Sequence, residues 1–170
     1  MTDTEITNRQ RLIVFYSRVD RPLWHRFWIE LFGGGRTSHL AVSNGVVVME
    51  RFWDRCIFWP FMTYMRRGAW HGYHTFECDE EVDLSDFAPT NKVEHLELWK
   101  KLVGLKRKDG DCVDVIRDCL RHIGVDVPQR IITPNGMRKW IQKSGIYHTG
   151  CLLNPRISLE SWTKLSQDQT

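Results

Sequence analysis

Three residues in this chain have the types and order that suit thiol-based acyl transfer: His39, Glu50 and Cys112. The first two lie near the ends of SHLAVSNGVVVME, residues 38–50, where two apolar runs flank Asn44-Gly45. Asn-Gly is the strongest short signal for a two-residue hairpin turn, because both central residues of a type I′ turn need positive φ. The register it implies pairs Ala41 with Val48, Leu40 with Met49 and His39 with Glu50. Directly opposed residues share a face, with Cβ atoms about 4.5–5.5 Å apart, so a carboxylate there can hold one imidazole nitrogen and make the other a better base. The same spacing equally suits a solvent-facing ion pair of little energetic consequence, so a nucleophile has to decide between the two.

Cys112 is the candidate nucleophile. In KRKDGDCVDVIRDCLRHIG, Asp111 can cap a helix whose apolar face is Val113, Ile116, Leu120 and Ile123, with Gly124 as its stop. Cys112 is then the first helical residue, where unpaired backbone N–H groups and the positive end of the helix dipole favour a thiolate. Lys106, Arg107 and Lys108 add positive charge upstream, whereas Asp111 and Asp114 oppose it. The remaining stabilisation is expected from a thiolate–imidazolium pair with His39. Cys119, two turns further along, reads as packing, and Cys56, Cys78 and Cys151 begin no helix and read as structural.

These residues need a scaffold to bring them together. RLIVFY, residues 11–16, reads as a buried strand. RPLWHRFWIELF, residues 21–32, has apolar residues at helical spacing and ends at Gly33-Gly34-Gly35. RCIFWPFM and GAWHGYHTFEC read as strands, the first demoted to an edge or bent strand by Pro60. CDEEVDLSD reads as a solvated loop. Val93, Leu96, Trp99, Leu102 and Val103 give residues 91–105 a helical stripe, and TPNGMRKWIQKSG reads as a final helix. A strand, a helix, several strands and then mostly helices indicate an α+β fold with an antiparallel sheet packed against helices.

A chain of 170 residues fits one core, so a single domain over residues 1–170 is expected, its core spanning about 11–165 and its ends, Met1–Gln10 and Ser166–Thr170, loose. A net charge of +3 points to no particular partner, and GLKRKDG has no accompanying recognition motif, so nucleic acid is not expected. The polar, acidic opening MTDTEITNRQ lacks a secretory pattern, and no apolar run is long enough to span a bilayer. The expectation is residence in a cytoplasm with reduced thiols. His39, His71, His74, Cys78 and Cys112 offer zinc-ligand types, but the His71–His74–Cys78 spacing is not a finger pattern, and strand alternation would direct His71 and His74 to opposite faces. No metal or cofactor is expected.

A histidine on a strand, a polar partner on the next strand and a later cysteine opening a helix resemble the circularly permuted branch of the NlpC-type papain-like superfamily, which includes lecithin:retinol acyltransferase-like proteins and bacterial and phage cysteine peptidases or amidases. The likeness spans roughly Leu12 to Lys143 and rests on LIVFYSR, RTSHLAVSNGVVVMERF, CVDVIRDCLRHIG and ITPNGMRKWI, in the permuted order of histidine before cysteine. It implies a circularly permuted papain-like fold, with Cys112 as nucleophile, His39 as general base and then acid, and Glu50 as the orienting third member. His71 or His74 could take that third place instead. Asp111 departs from the pattern, since a neutral residue before the cysteine would trouble a thiolate less. The backbone N–H of Cys112 suits an oxyanion donor.

The activity implied is hydrolysis of an amide in a peptide, peptidoglycan stem peptide or host protein. A thiol-dependent lipid acyltransferase and a catalytically silent binding module of the same fold are the alternatives. The aromatic stretches WHRFWIELF and CIFWPFMTYM are expected mainly to pack in the core, with a few residues lining a cleft or touching a lipid surface. A phage-encoded member would act in a host cytoplasm or be carried in a virion.

Overall fold

β-Branched and aromatic residues at every position from Leu12 to Tyr16 leave no polar face on that segment, which is what a strand covered on both sides requires. It becomes the centre of the sheet. The computed structural model describes residues 10–17, 37–52, 55–68, 70–89 and 110–151. Their strands are β1 (Gln10–Ser17), β2 (His39–Ser43), β3 (Val47–Arg51), β4 (Cys56–Pro60), β5 (Trp70–Cys78) and β6 (Thr149–Cys151). They form one antiparallel sheet in the order β4-β3-β2-β1-β5-β6. The helices are α1 (Phe61–Arg67), α2 (Cys112–His122) and α3 (Pro134–Ser144), with a 3-10 turn at Leu84–Phe87. The expected α+β class with an antiparallel sheet is present. The helices expected over residues 21–32 and 91–105 lie outside the described residues.

Alternation along the strands divides the interior into two layers. Val14, Tyr16, Leu40, Val42 and Met49 face α2 and α3, meeting Val113, Ile116 and Leu120 of α2 and Met137 and Ile141 of α3. Ile13, Phe15, Ala41 and Val48 face the other way and pack against Tyr64 and Met65 of α1. On that side Phe15 is wholly buried, with its ring 5.3 Å from that of Tyr64 and 5.9 Å from that of Trp70. Of the aromatics in FWPFMTYM, Tyr64 is buried and Trp59 and Phe61 pack partly against this layer, as expected, whereas Phe58 is exposed.

Three local expectations are corrected. In the hairpin, Ala41 pairs with Glu50, Val42 with Met49 and Ser43 with Val48, two residues away from the register expected from a two-residue turn. Among the described residues only glycines have positive φ, so Asn44 does not adopt the conformation that a type I′ turn demands. Instead Asn44 Oδ1 accepts from the N–H groups of Val46 and Val47, and Ser43 Oγ donates to the Val47 carbonyl, which closes a longer loop. Because side chains alternate with period two, a two-residue shift leaves each residue on its expected face.

The second correction concerns residues 55–62. β4 is a terminal strand ending at Pro60, as that proline implied, but Phe61 starts a helix, stopped by Gly68 at φ +61°. In the third, CDEEVDLSD is not wholly solvated. Val82 and Leu84 are buried in the α2–α3 layer, and Asp83 caps the 3-10 turn by accepting from the Ser85 N–H.

Gly45 has φ +90°, and a Cβ there would meet nothing within 4 Å. Any cost of substitution is therefore one of backbone conformation, and Gly45→Ala is expected to lower stability by about 1–2 kcal/mol without disturbing the core, measured as a reduced urea midpoint with an unchanged m-value.

Candidate functional site

Helix α2 begins where its capping signals put it. Asp111 is the N-cap, accepting from the N–H groups of Val113 and Asp114, while Asp114 accepts in return from the Asp111 N–H at 3.2 Å, completing a capping box. Cys112 is the first residue of the helix and is half-buried against the α2–α3 layer. Because the cap occupies the Val113 and Asp114 N–H groups, neither can serve an oxyanion. Cys119 is fully buried, as its position on the inner face implied.

Two buried arginines, which sequence reading passed over, offset the acids around Cys112. Arg117 donates to Asp114 Oδ1 at 2.5 Å and also to the Ile131 carbonyl, tying α2 to the segment before α3. Arg51, at the end of β3, donates from Nε to the Gly110 carbonyl at 3.3 Å and from Nη1 to the Pro89 carbonyl at 3.4 Å. For Arg51 a local signal was lacking, since its acceptors are backbone carbonyls remote in sequence, whereas the Asp114–Arg117 pair has ordinary i,i+3 helical spacing.

His39, the first residue of β2, lies at the same end of the sheet. Its neighbours are the Phe52 ring, stacked at 5.1 Å, and Glu50, whose Oε1 is 3.7 Å from Nε2. That separation is too long for a hydrogen bond, and Nε2 is buried with no hydrogen-bond partner. Burial pushes the His39 pKa down to about 4, against the opposing pull of the Asp111 carboxylate. The imidazole is therefore neutral at pH 7, which disfavours the preformed imidazolium expected from sequence.

Glu50 is itself heavily engaged. Its Oε2 accepts from Trp59 Nε1 at 2.9 Å and pairs with Arg67 at 3.5 Å, and the Tyr64 hydroxyl faces it. Burial raises its pKa, while Trp59, Arg67 and Tyr64 pull it down. Thus the structure puts Glu50 beside His39 on the α1 side of the sheet, in a carboxylate cluster with its own cation. Strand alternation assigns His39, two residues before Ala41, to this same side, whereas Cys112 packs on the Leu40 and Val42 side. What links them is the sheet end: the charge of Asp111 reaches His39, and Arg51, next to Glu50, holds Gly110.

The alternative third members have other partners. His71 Nε2 is 3.0 Å from Thr37 Oγ1. His74 is buried in the opposite layer, its Nδ1 2.6 Å from the Tyr16 hydroxyl and its ring 4.2 Å from that of Tyr147. Burial, followed by the charge of Arg138, pushes the His74 pKa down to about 4. Among the described residues no three His, Cys, Asp or Glu side chains converge on a possible metal position. No described helix is long and apolar enough to cross a membrane. Comparison of the chain with family models, curated proteins and solved structures gives no significant match.

Proposed function

We propose that the chain is a cysteine hydrolase of the peptidase or amidase type on a circularly permuted papain-like scaffold, with Cys112 as nucleophile and His39 as base. The observation that carries this reading is the placement of a half-buried cysteine at the first position of a capped helix, whose N-cap charge acts on a buried, neutral imidazole at the same sheet end. The step requires the shared sheet end to bring the imidazole to the sulfur, since strand alternation directs His39 to the α1 side while Cys112 packs on the other. His39 then accepts the thiol proton as sulfur attacks the carbonyl carbon, and returns it to the nitrogen as the C–N bond breaks. Water then cleaves the thioester, releasing the acid and restoring the thiol. Glu50, held by Trp59 and Arg67, acts on the imidazole through its field rather than through a hydrogen bond.

A binding module of the same fold is the second reading, favoured by the strand alternation that directs His39 to the α1 side. Selective alkylation separates the two. Burial raises the pKa of Cys56, Cys78 and Cys119, so these thiols should be slow. The hydrolase requires iodoacetamide to modify Cys112 ahead of them near pH 6, and His39→Ala to slow that reaction. Equal reactivity of Cys112 and Cys56 would leave the binding module.

A further inference from the structure

Arg51 is only 4% exposed and projects from a strand end toward two backbone carbonyls. A guanidinium is costly to bury unless its donors are satisfied, and it presents them in a fixed planar fork. Here the fork spans the carbonyls of Pro89 and Gly110, which flank residues 90–109. Gly110 is followed by the N-cap Asp111 and then by Cys112. A single side chain thus ties the residue before the α2 N-cap both to β3 and to the end of the preceding 3-10 segment.

From this geometry we infer that Arg51 is a positioning residue for Cys112, its two-carbonyl clamp setting the helix start against the sheet end that carries His39. The inference deepens the hydrolase reading and rests on it for its catalytic meaning. The clamp itself is physical and can be judged separately. Pairing of Arg51 with Cys56 across β3 and β4 puts the cation at the sheet edge beside the helix start. Its charge opposes the burial that raises the Cys56 pKa, and the same positive charge favours negative charge at the neighbouring helix N-terminus. Lysine would keep the charge but could not hold two carbonyls in one plane.

The test uses the full chain with Arg51→Gln and Arg51→Lys, reading amide hydrogen exchange at Val113–Val115 together with the pH profile of Cys112 alkylation. In folded Arg51→Gln, exchange at Val113–Val115 should rise while β1 amides stay protected, and Cys112 alkylation near pH 6 should fall about tenfold. Arg51→Lys should show the raised exchange but recover part of the alkylation rate. Unchanged exchange at Val113–Val115 in either folded variant overturns the clamp, and should Arg51→Gln fail to fold, Arg51→Lys decides alone. If wild-type Cys112 is no more reactive than Cys56, the hydrolase reading fails while the exchange measurement still judges Arg51.

Discussion

Replacing Cys112 by alanine is expected to abolish acylation by a small activated ester such as p-nitrophenyl acetate, and to lower amide hydrolysis by about 10⁴-fold or more. The thiol is the only group in the proposed mechanism that forms a covalent bond with the acyl carbon, so no neighbour can replace it. Wild-type protein should release one p-nitrophenolate per chain in a rapid phase and carry an acetyl group on Cys112 by mass spectrometry. His39→Ala should slow that phase steeply, and combining it with Cys112→Ala should add little, because residues that act as a unit are not additive. A silent binding module would show no acetyl group on Cys112 in the wild type. An acyltransferase would acetylate at Cys112 but pass the group to an added amine in preference to water, which makes the fate of the acyl group the discriminating measurement. Retention of full hydrolysis by Cys112→Ala would end the proposal.

What could be read in the sequence was what local chemistry determines. The start of α2 follows from Asp111 and its end from Gly124, because caps are made with groups a few residues away. Thr133 and Gly145 bound α3 for the same reason. The hairpin shows where local reading stops. Asn44-Gly45 correctly marked a turn, but its length depends on which N–H groups the Asn44 and Ser43 side chains engage, so the pairing moved by two residues and His39 came opposite neither Glu50 nor any β3 residue in the paired ladder. Phe61 and Met62 are apolar enough to read as the end of the RCIFWPFM strand, yet Phe61 starts a helix that Gly68 ends.

Several of the contacts that sequence reading missed fall outside local spacing, although the Asp114–Arg117 pair is an i,i+3 contact of the ordinary helical kind. Arg51 meets the carbonyls of Gly110 and Pro89, Trp59 meets Glu50 from the next strand, and Arg117 meets Ile131 beyond the end of its own helix. No spacing rule reveals such partners. They matter because they resolve the departure noted at Asp111: Asp114 is paired with Arg117, and the charge of Arg117 is also felt by Asp111. An acid beside the proposed nucleophile is tolerable when a buried cation offsets it.

Acid should unfold this protein through its histidines. His39 and His74 both have folded pKa values of about 4 against an ordinary 6.5, so the unfolded chain binds more protons than the native one between those values. Stability is therefore full above about pH 6.5 and falls as the pH drops toward 4, by about 2–3 kcal/mol for each histidine at pH 4.5. Glu50 acts in the opposite sense. Its raised pKa means that protonation relieves a burial penalty, but Trp59, Tyr64 and Arg67 restrain that shift, so the histidines dominate. Around His39 the other charged neighbour is Asp111, which weakens the depression; around His74 it is Arg138, which adds to it. Urea unfolding at pH 7 and pH 4.5 should show a fall of a few kcal/mol, larger than the effect of a typical surface substitution. His74→Gln, which keeps an acceptor for the Tyr16 hydroxyl but cannot ionise, should remove roughly half of that fall, and His39→Gln the other half. A wild-type stability that stays level between the two pH values would contradict the burial-lowered pKa of both imidazoles, and with it the buried, neutral base of the proposed mechanism.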